Sequence, residues 1–365
     1  MKITQTEIFK LTIPMEPFVI ATETSYYTQN VFIRIHTDTG LTGMGECSAF
    51  PMLVGETQTT CFEIAKEFAR ILKGKDPLAI GDCLQSLHDF IAFNSTIKSA
   101  FDIALHDIAA KSAGVPLYKF LGGKLKSIQT DLTIGIGKPE KMAATAVEFV
   151  KNGVKTIKIK LGKNHKEDVE RVRLIRQAVS PEIKLRVDAN QGWNYEEALY
   201  ALTHIAPFDI QFCEQPMRQW NDPLLPALRK KSPVKIMADE SVFNHYDAIR
   251  LIEADACDYI NIKLAKSGGI LEAIKIANEA QKRNIPCMLG GMVESRLALT
   301  AKVHLAMSHE NIVFYDLDTC LLGHKQDPVV GGARYNNYFL ELPYGPGIDA
   351  DIDEAFLREM EKITI

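Results

Sequence analysis

Five ionisable residues recur at nearly regular intervals in the middle of the chain. Lys160, Asp188, Glu214, Asp239 and Lys263 are separated by 24 to 28 residues, and each follows a short apolar run. A strand, a helix and two turns need about this length, so the segment is typical of successive βα units. In a (β/α)8 barrel, the carboxyl ends of the strands form the face on which active sites are built. We therefore expect these five side chains to meet at one mouth of a barrel.

The three carboxylates predict a metal site. Asp188, Glu214 and Asp239 would end strands three, four and five, and three neighbouring carboxylates repel one another unless a cation joins them. Ligation by oxygen alone favours Mg²⁺ over zinc, which prefers His or Cys. One such residue alone is more often a helix cap, but three in register favour a single Mg²⁺ ion.

The two lysines predict acid–base chemistry. Lys160 and Lys263 would end strands two and six, on opposite sides of the carboxylates. Two bases across a metal-bound carboxylate suggest that one removes an α-proton and the other returns it to the opposite face, as in a racemase or epimerase. For a lysine beside another lysine (Lys158 precedes Lys160 on the same face) and near a dication, we expect a lowered pKa. The alternative is that the lysines only pair with the carboxylates.

The same spacing extends to eight strand ends. Thr133 lies 27 residues before Lys160, and Asp316 lies 53 residues after Lys263. With strands at 130–135, 285–290 and 312–318, these positions complete a modified (β/α)8 TIM barrel, an α/β fold.

An α+β capping domain is predicted from the flanking segments. Residues 1–48 read as an antiparallel sheet with a loop at 14–29, followed by a second loop at 49–56. The predicted helices span 57–73, 77–93 and 97–112, the third capped by Asn94. A tail with a strand at 338–342 and a helix at 352–360 should return to the N-terminal sheet. We expect a capping domain over 1–124, the barrel over 125–322 and the returning segment over 323–365.

The composition is that of a cytoplasmic enzyme. The chain has 365 residues, a net charge of −4 and dispersed basic residues, so neither nucleic acid nor a membrane is an expected partner. The seven cysteines form no CxxC pair and are expected to be reduced core residues. The oligomeric state stays open, a homo-oligomer included.

Several motifs together resemble the enolase superfamily, in its muconate lactonizing enzyme-like subgroup. The motifs that carry the resemblance are Lys158-Ile-Lys160, Arg186-Val-Asp-Ala-Asn190, Cys213-Glu-Gln-Pro216, Ala238-Asp-Glu-Ser241 and Asn261-Ile-Lys-Leu-Ala-Lys-Ser-Gly-Gly269. The resemblance covers nearly the whole chain and implies a capped barrel, one Mg²⁺ and an enolate intermediate. It also implies that Lys160 and Lys263 are the opposed acid/base pair, with Lys158 near the substrate carboxylate.

One further motif indicates the reaction. No His occurs between residues 286 and 295, which disfavours the superfamily branch with a His base there. Asp316-Leu-Asp318 resembles the Asp-x-Asp of dipeptide epimerases, which holds the substrate ammonium, although a capped helix start or a solvated turn could also explain it. Weaker support, from strand-end position alone, places Thr133, Gly291 and Val293 along the substrate.

The capping loops predict the substrate. Residues 11–30 and 48–60 contain no Lys or Arg, so an acidic second residue would lack a partner. The loops instead hold apolar and aromatic residues: Phe18, Ile20, Tyr26, Tyr27, Phe50, Met52, Leu53 and Val54. We predict a dipeptide with a hydrophobic second residue, followed by a cationic one paired with Glu16 or Glu23.

Two rival functions stay open. An o-succinylbenzoate synthase or N-succinylamino acid racemase would use the same lysines and Mg²⁺, but its substrate carries no ammonium and would be repelled by Asp316 and Asp318. A non-catalytic peptide-binding barrel would need no base. The exact dipeptide and the pathway are not legible from the sequence.

Overall fold

A computed structural model describes residues 1–365 as a barrel covered by a smaller α+β unit. The elements of the N-terminal part are β1 Ile3–Leu11, β2 Pro14–Val19, β3 Thr24–Tyr27, β4 Asn30–Thr37, β5 Thr42–Ser48, α1 Pro51–Val54, α2 Gln58–Leu72, α3 Ile80–Phe90, α4 Ser95–Ser112 and α5 Leu117–Phe120. A 22-residue core joins this sheet to its helices, and a second core of 68 residues fills the barrel and extends into the N-terminal and C-terminal parts of the chain.

The barrel alternates strands and helices in the predicted order. Its strands are β6 Leu132–Ile134, β7 Thr156–Lys160, β8 Lys184–Asp188, β9 Ile210–Glu214, β10 Ile236–Ala238, β11 Tyr259–Ile262, β12 Cys287–Gly290 and β13 Ile312–Asp316. Its helices are α6 Pro139–Lys151, α7 His165–Ala178, α8 Tyr195–Ile205, α9 Leu225–Lys231, α10 His245–Glu253, α11 Leu264–Ser267, α12 Ile270–Lys282 and α13 Arg296–Ser308, with 3₁₀ turns at Ala206–Phe208, Gln219–Leu224 and Thr319–Leu321.

The eight strands are parallel neighbours in sequence order, and the sheet is nearly closed. The gap between its first and last strands is bridged by the Asp131 N–H, which donates to the Tyr315 carbonyl at 3.3 Å. The predicted fold, an eight-stranded barrel under an α+β cap, is confirmed.

The C-terminal segment contains β14 Val329–Gly331, β15 Arg334–Asn336, β16 Phe339–Glu341, β17 Ala350–Ile352, α14 Glu354–Arg358 and β18 Lys362–Thr364. It returns to the N-terminal sheet, whose order is β18-β1-β4-β5. The strand that pairs there is β18, whereas the predicted strand, observed as β16, forms a hairpin with β15.

Two predictions about the cap are wrong. The segment 14–29 is not a loop, because β2 and β3 form a hairpin. Asn94 stands at the start of α4 with φ of 50°, and its side chain donates to the Ala92 carbonyl instead of capping the helix. The capping group comes from far away in sequence: Glu56 accepts from the Thr96 N–H at 2.9 Å.

Strand β5 lies unusually close to α4. A Cβ atom at Gly45 would lie 1.9 Å from the Ala100 carbonyl oxygen, and one at Gly43 would lie 2.2 Å from the Ala104 oxygen. Only glycine allows this approach, so the strand is held firmly against the helix. The end of β5 reaches the barrel mouth.

Two further features concern the cysteines and the helices. All seven cysteines are unpaired, and six are buried. None of the helices has both the length and the hydropathy that a bilayer span requires.

Candidate active site

The register of the barrel brings the predicted charged residues to one end. Lys160 pairs with Asp188 across β7 and β8, and Asp188 pairs with Glu214 across β8 and β9. Asp239 and Lys263 directly follow β10 and β11. Because neighbouring parallel strands end at the same edge, the five side chains form one buried layer at the carboxyl ends of the strands.

The lysines and carboxylates of this layer are joined by short ion pairs. The Lys160 Nζ lies 2.7 Å from Asp188 Oδ2, and the Lys263 Nζ lies 2.7 Å from Asp239 Oδ2. The Lys158 Nζ bridges two strands, at 3.1 Å from Asp188 Oδ2 and 2.8 Å from Glu214 Oε2. Each carboxylate therefore shares its charge with a neighbouring ammonium group.

The three carboxylates are buried oxygen donors of the kind that a divalent cation binds. Asp188, Glu214 and Asp239 are each 0% exposed. Glu214 Oε2 makes no hydrogen bond. The Lys158 Nζ is close, but the angles of this contact do not suit a hydrogen bond. Burial, and then the charge of Asp188, raise the pKa of Glu214 to about 7. A positive charge among these oxygens would offset both effects, and oxygen ligands are those that Mg²⁺ prefers.

A second acidic group lies beside this layer. Oxygens of Asp131, Asp316 and Asp318 lie within 4.8 Å of one another, a spacing that could also hold a metal ion. Each already has a donor, however: Asp131 receives Arg186 at 2.7 Å, and Asp316 receives Lys158 at 2.7 Å. The third, Asp318, accepts from a backbone N–H. Arg186 and Lys158 thus balance the charge of two of these carboxylates, as lysines do for the carboxylates of the layer.

Neighbouring carboxylates raise the pKa values of two buried lysines. Burial disfavours the charged form of Lys263, but Asp239 and Glu214 outweigh it and raise the pKa of Lys263 well above its ordinary value. Burial of Lys158 is likewise outweighed by Asp316, followed by Glu214, so the pKa of Lys158 is raised. The summed attraction of the carboxylates therefore exceeds the cost of burying each ammonium group.

A cavity opens above the layer, between the barrel and the cap. Its lining includes seven of the predicted site residues: Thr133, Lys160, Lys263, Gly291, Val293, Asp316 and Asp318. Lys158 and the three predicted metal ligands do not line it and lie in the layer beneath. Lys160 and Lys263 therefore enter one space from strands on opposite sides of the barrel.

The two aspartates that are predicted to hold the substrate ammonium group have different partners. Asp316 Oδ2 accepts from Lys158, whereas Asp318 Oδ2 accepts from the Thr133 N–H at 2.7 Å. Asp318 has no lysine partner, and burial together with the charge of Asp316 raises the pKa of Asp318 to about 7. For Asp316, burial is outweighed by Lys158 and Lys160, and its pKa falls to about 2.

The cap supplies an apolar wall. Phe18, Ile20, Phe50 and Leu53 line the cavity and form one apolar cluster with Met292. Of the other loop residues named from the sequence, Tyr26, Tyr27, Met52 and Val54 do not line it. The three loop acids lie elsewhere as well: Glu16 pairs with Lys325, Glu23 accepts from Ser25, and Glu56 caps α4.

Sequence reasoning missed several residues that support the site. Lys266 is fully buried and donates to Asp239 Oδ1 at 2.8 Å, and Asn261 donates to Glu214 Oε1 at 2.8 Å. Both lie in the motif at 261–269 but were not assigned a role. The period of three between Lys263 and Lys266 could have suggested a shared helical face. Asn190, which lines the cavity, ends the motif at 186–190 and was likewise assigned no role.

Comparison with known proteins agrees with this geometry. Residues 3–122 match the family model "Mandelate racemase / muconate lactonizing enzyme, N-terminal domain", and residues 141–356 match "Enolase C-terminal domain-like". The chain is 45% identical to the D-Ala-D/L-Ala epimerase of Cytophaga hutchinsonii, with all of both chains covered. It is 41% identical to the L-Ala-D/L-Glu epimerase of Clostridium acetobutylicum (93% of this chain, 95% of the other), and 38% identical to the hydrophobic dipeptide epimerase of Enterococcus faecalis (95% and 99%).

A solved structure is equally similar. The dipeptide epimerase of Cytophaga hutchinsonii, complexed with Mg and the dipeptide D-Ala-L-Val, superposes with a TM-score of 0.98 at 44% identity over all of both chains. The chain thus belongs to the enolase superfamily, in its muconate lactonizing enzyme-like subgroup.

Proposed function

We propose that this protein is a Mg²⁺-dependent dipeptide epimerase, an isomerase that inverts the α-carbon of the second residue of a dipeptide. The observation that carries the proposal is one cavity that receives Lys160 and Lys263 from opposite sides and also contains Asp318. Two opposed amines suit proton transfer at one carbon, and a buried carboxylate suits an ammonium group. The dipeptide epimerases among its relatives support the same reaction.

The proposed mechanism is a 1,1-proton transfer. One of the two lysines, as a free amine, removes the α-proton from one face, and the other, as an ammonium group, delivers a proton to the opposite face. For the reverse reaction the roles exchange. Lys158, fixed between Asp188 and Glu214, lies beneath the cavity and would attract the substrate carboxylate.

We assign Asp188, Glu214 and Asp239 as the ligands of one Mg²⁺ ion. When bound, the ion supplies positive charge that favours the substrate carboxylate and the negative charge that grows on it as the proton leaves. The same charge would weaken the hold of the carboxylates on the lysine protons, which favours a free amine on one lysine.

The wall of the cavity favours a hydrophobic second residue. Phe18, Ile20, Phe50, Leu53 and Met292 bring apolar surface to the cavity, and its only basic lining residues are the two lysines assigned to proton transfer. A carboxylate side chain would lose its hydration here without a dedicated partner. A cationic side chain is less favoured, because neither Glu16 nor Glu23 lines the cavity.

Asp318, with Asp316 beside it, is proposed to hold the N-terminal ammonium. This assignment separates the epimerase from the rival succinyl-substrate enzymes. A succinyl group carries a carboxylate in that position, and two buried aspartates would repel it.

The accompanying proposals follow from the same features. The 22-residue core within the N-terminal part supports a cap over 1–124, and the pairing of β18 with β1 supports a returning segment over 323–365. The barrel would then occupy 125–322. The unpaired cysteines support a cytoplasmic location, where thiols stay reduced.

The test is α-proton exchange in D₂O with Mg²⁺, using pooled dipeptides read by mass spectrometry. We expect deuterium at the second residue of hydrophobic dipeptides, and its loss on addition of EDTA. Exchange confined to Ala-Glu would refute the substrate assignment and keep the mechanism. Exchange of N-succinylamino acids and of no dipeptide would refute the epimerase.

A further inference from the structure

A buried glutamate of the cap contacts the barrel directly beside the cavity. Glu46, in β5, is 1% exposed. Its Oε1 accepts from the Ser295 N–H at 2.9 Å and from Asn30 Nδ2 at 2.6 Å, and its Oε2 accepts from the Ser295 hydroxyl at 2.5 Å and the Ala298 N–H at 3.1 Å. Both oxygens are therefore occupied, and the carboxylate caps the N-terminus of α13 from another part of the fold.

The same strand makes a second bond to this segment. The Ser48 hydroxyl, two residues after Glu46 and therefore on the same face of β5, donates to the Val293 carbonyl at 2.7 Å. Between β12 and α13, the chain thus has a fixed point at Val293 and another at Ser295. The residues held in this way include Met292 and Val293, which line the cavity.

Strand β5 also leads into the part of the apolar wall that the cap supplies. The loop that follows it contains Phe50 and Leu53, which line the cavity and belong to the same small apolar cluster as Met292 and Val293. The two halves of the apolar wall therefore come from different parts of the chain and meet where β5 ends. Their separation depends on how β5 is attached to the loop 291–295.

We propose that Glu46 is a positioning residue that sets the width of the apolar wall and, through it, the preference for the second residue of the substrate. This inference rests on the proposed epimerase function. Glu46 touches no reacting atom, and it acts through the loop that carries Met292 and Val293. Ser48 adds a weaker contribution of the same kind.

Glu46→Gln tests the inference with little change in shape. A glutamine has one acceptor oxygen, so its NH₂ group must face donors on one side, at either the Ser295 N–H or the Ala298 N–H. The loop should shift away from this contact. We expect the KM for a dipeptide with a Leu second residue to rise about tenfold while kcat changes less than about twofold, because pocket contacts and not the lysines are disturbed.

The decisive readout is selectivity. For Glu46→Gln, the ratio of kcat/KM for a Leu over an Ala second residue should fall about fivefold, because a displaced wall contacts the larger side chain less well. Ser48→Ala, which removes a single hydrogen bond and is the milder change, should lower the ratio about twofold. It also keeps the test valid if Glu46→Gln folds poorly.

Asp102→Asn is the matched control. Asp102 is also a buried carboxylate of the cap that caps a barrel helix, accepting from the Ile270 N–H at 2.6 Å and the Leu271 N–H at 3.2 Å, but it does not line the cavity. It should lower Tm without changing the selectivity ratio. An unchanged ratio in both Glu46→Gln and Ser48→Ala, or an equal change in Asp102→Asn, would overturn the inference. If the wild-type protein exchanged no dipeptide, the proposed function itself would fail.

Discussion

Asp318→Asn removes one charge from the candidate ammonium site and little else. The asparagine oxygen can still accept from the Thr133 N–H, now 2.7 Å from Asp318 Oδ2, so the backbone contact survives. Asp316 is less suitable for this test, because it forms an ion pair with Lys158, and Lys158 also contacts Asp188 and Glu214. A change at Asp316 would therefore disturb the proposed metal site as well.

The size of the effect follows from burial. Asp318 is 2% exposed, so its bond to an ammonium group is weakly screened by solvent. A hydrogen bond to a charged partner contributes about 1.5–3 kcal/mol, and a loss of about 2 kcal/mol corresponds to an affinity about 30-fold lower. The loss should stay near this value because the carboxylate of Asp316 remains.

The assay compares dipeptides with their N-acetyl analogues, which lack the ammonium group. Asp318→Asn should raise the KM of the free dipeptide about 30-fold and leave the weak turnover of the acetylated form nearly unchanged. Equal losses for both substrates would indicate a general structural defect. An unchanged KM for the free dipeptide would refute the assignment of the ammonium site.

The same residue predicts a pH dependence. Burial and the charge of Asp316 raise the pKa of Asp318 to about 7, so the carboxyl group is protonated below this pH and ionised above it. Because the ammonium group needs the ionised form, kcat/KM should rise with pH between about 5.5 and 7.5. Asp318→Asn should lack this rise, and a rise that persisted would have to come from another group.

Three further predictions concern the bases, the stability and the specificity. Lys160→Ala and Lys263→Ala should each retain α-proton exchange with one epimer of the second residue, and the epimer that is retained should differ between the two variants. Mass spectrometry should show exchange of the other epimer slowed by about 10²- to 10⁴-fold. Desolvation lowers the pKa of buried His304 to about 4, so the unfolded chain binds an extra proton below about pH 6.5. The free energy of unfolding, measured in urea, should therefore fall by about 2 kcal/mol between pH 7.5 and 5, and His304→Gln should remove this fall. Leu53→Arg should raise the kcat/KM for Ala-Glu relative to Ala-Leu at least about tenfold, because it places a cation in the apolar wall.

Each of these has a clear control. Exchange of both epimers by one single-lysine variant at the wild-type rate would refute the two-base mechanism. A pH dependence of stability that is identical in His304→Gln would mean that other groups account for it. Met52→Arg places the same charge on a neighbouring side chain that is 49% exposed and does not line the cavity, so an equal gain in this variant would indicate nonspecific attraction of the acidic dipeptide.

The repeating part of the molecule could be predicted from the sequence alone. Each βα unit needs a similar number of residues, so a period of 24 to 28 residues places Lys160, Asp188, Glu214, Asp239 and Lys263 at successive strand ends without knowledge of any contact. Parallel strands then bring the ends together, because neighbouring strands are joined by backbone hydrogen bonds in register. Local spacing therefore determined the barrel and the residue types at its mouth.

Only the tertiary structure shows which residues that are distant in sequence become hydrogen-bond and ion-pair partners. In the sequence, the two aspartates of the Asp-x-Asp motif are equivalent. In the structure, Lys158 donates to Asp316, and Asp318 has no lysine partner. Glu56 ends the predicted loop at 49–56, yet its side chain caps α4 through the Thr96 N–H. Spacing carries no information about such pairings, because they depend on how the cap is placed on the barrel.

The apolar wall of the cavity could likewise be predicted only in part from the sequence. Its apolar character could be read from the loops, since Phe18, Phe50 and Leu53 are evident in the sequence. That Met292 would complete it, and that Glu46 would hold the loop carrying Met292, depended on contacts between residues about 250 positions apart. The sequence thus determined which chemistry is present at the barrel mouth, and the packing of cap on barrel decided which side chains face the substrate, because that packing is set by long-range burial and hydrogen bonding.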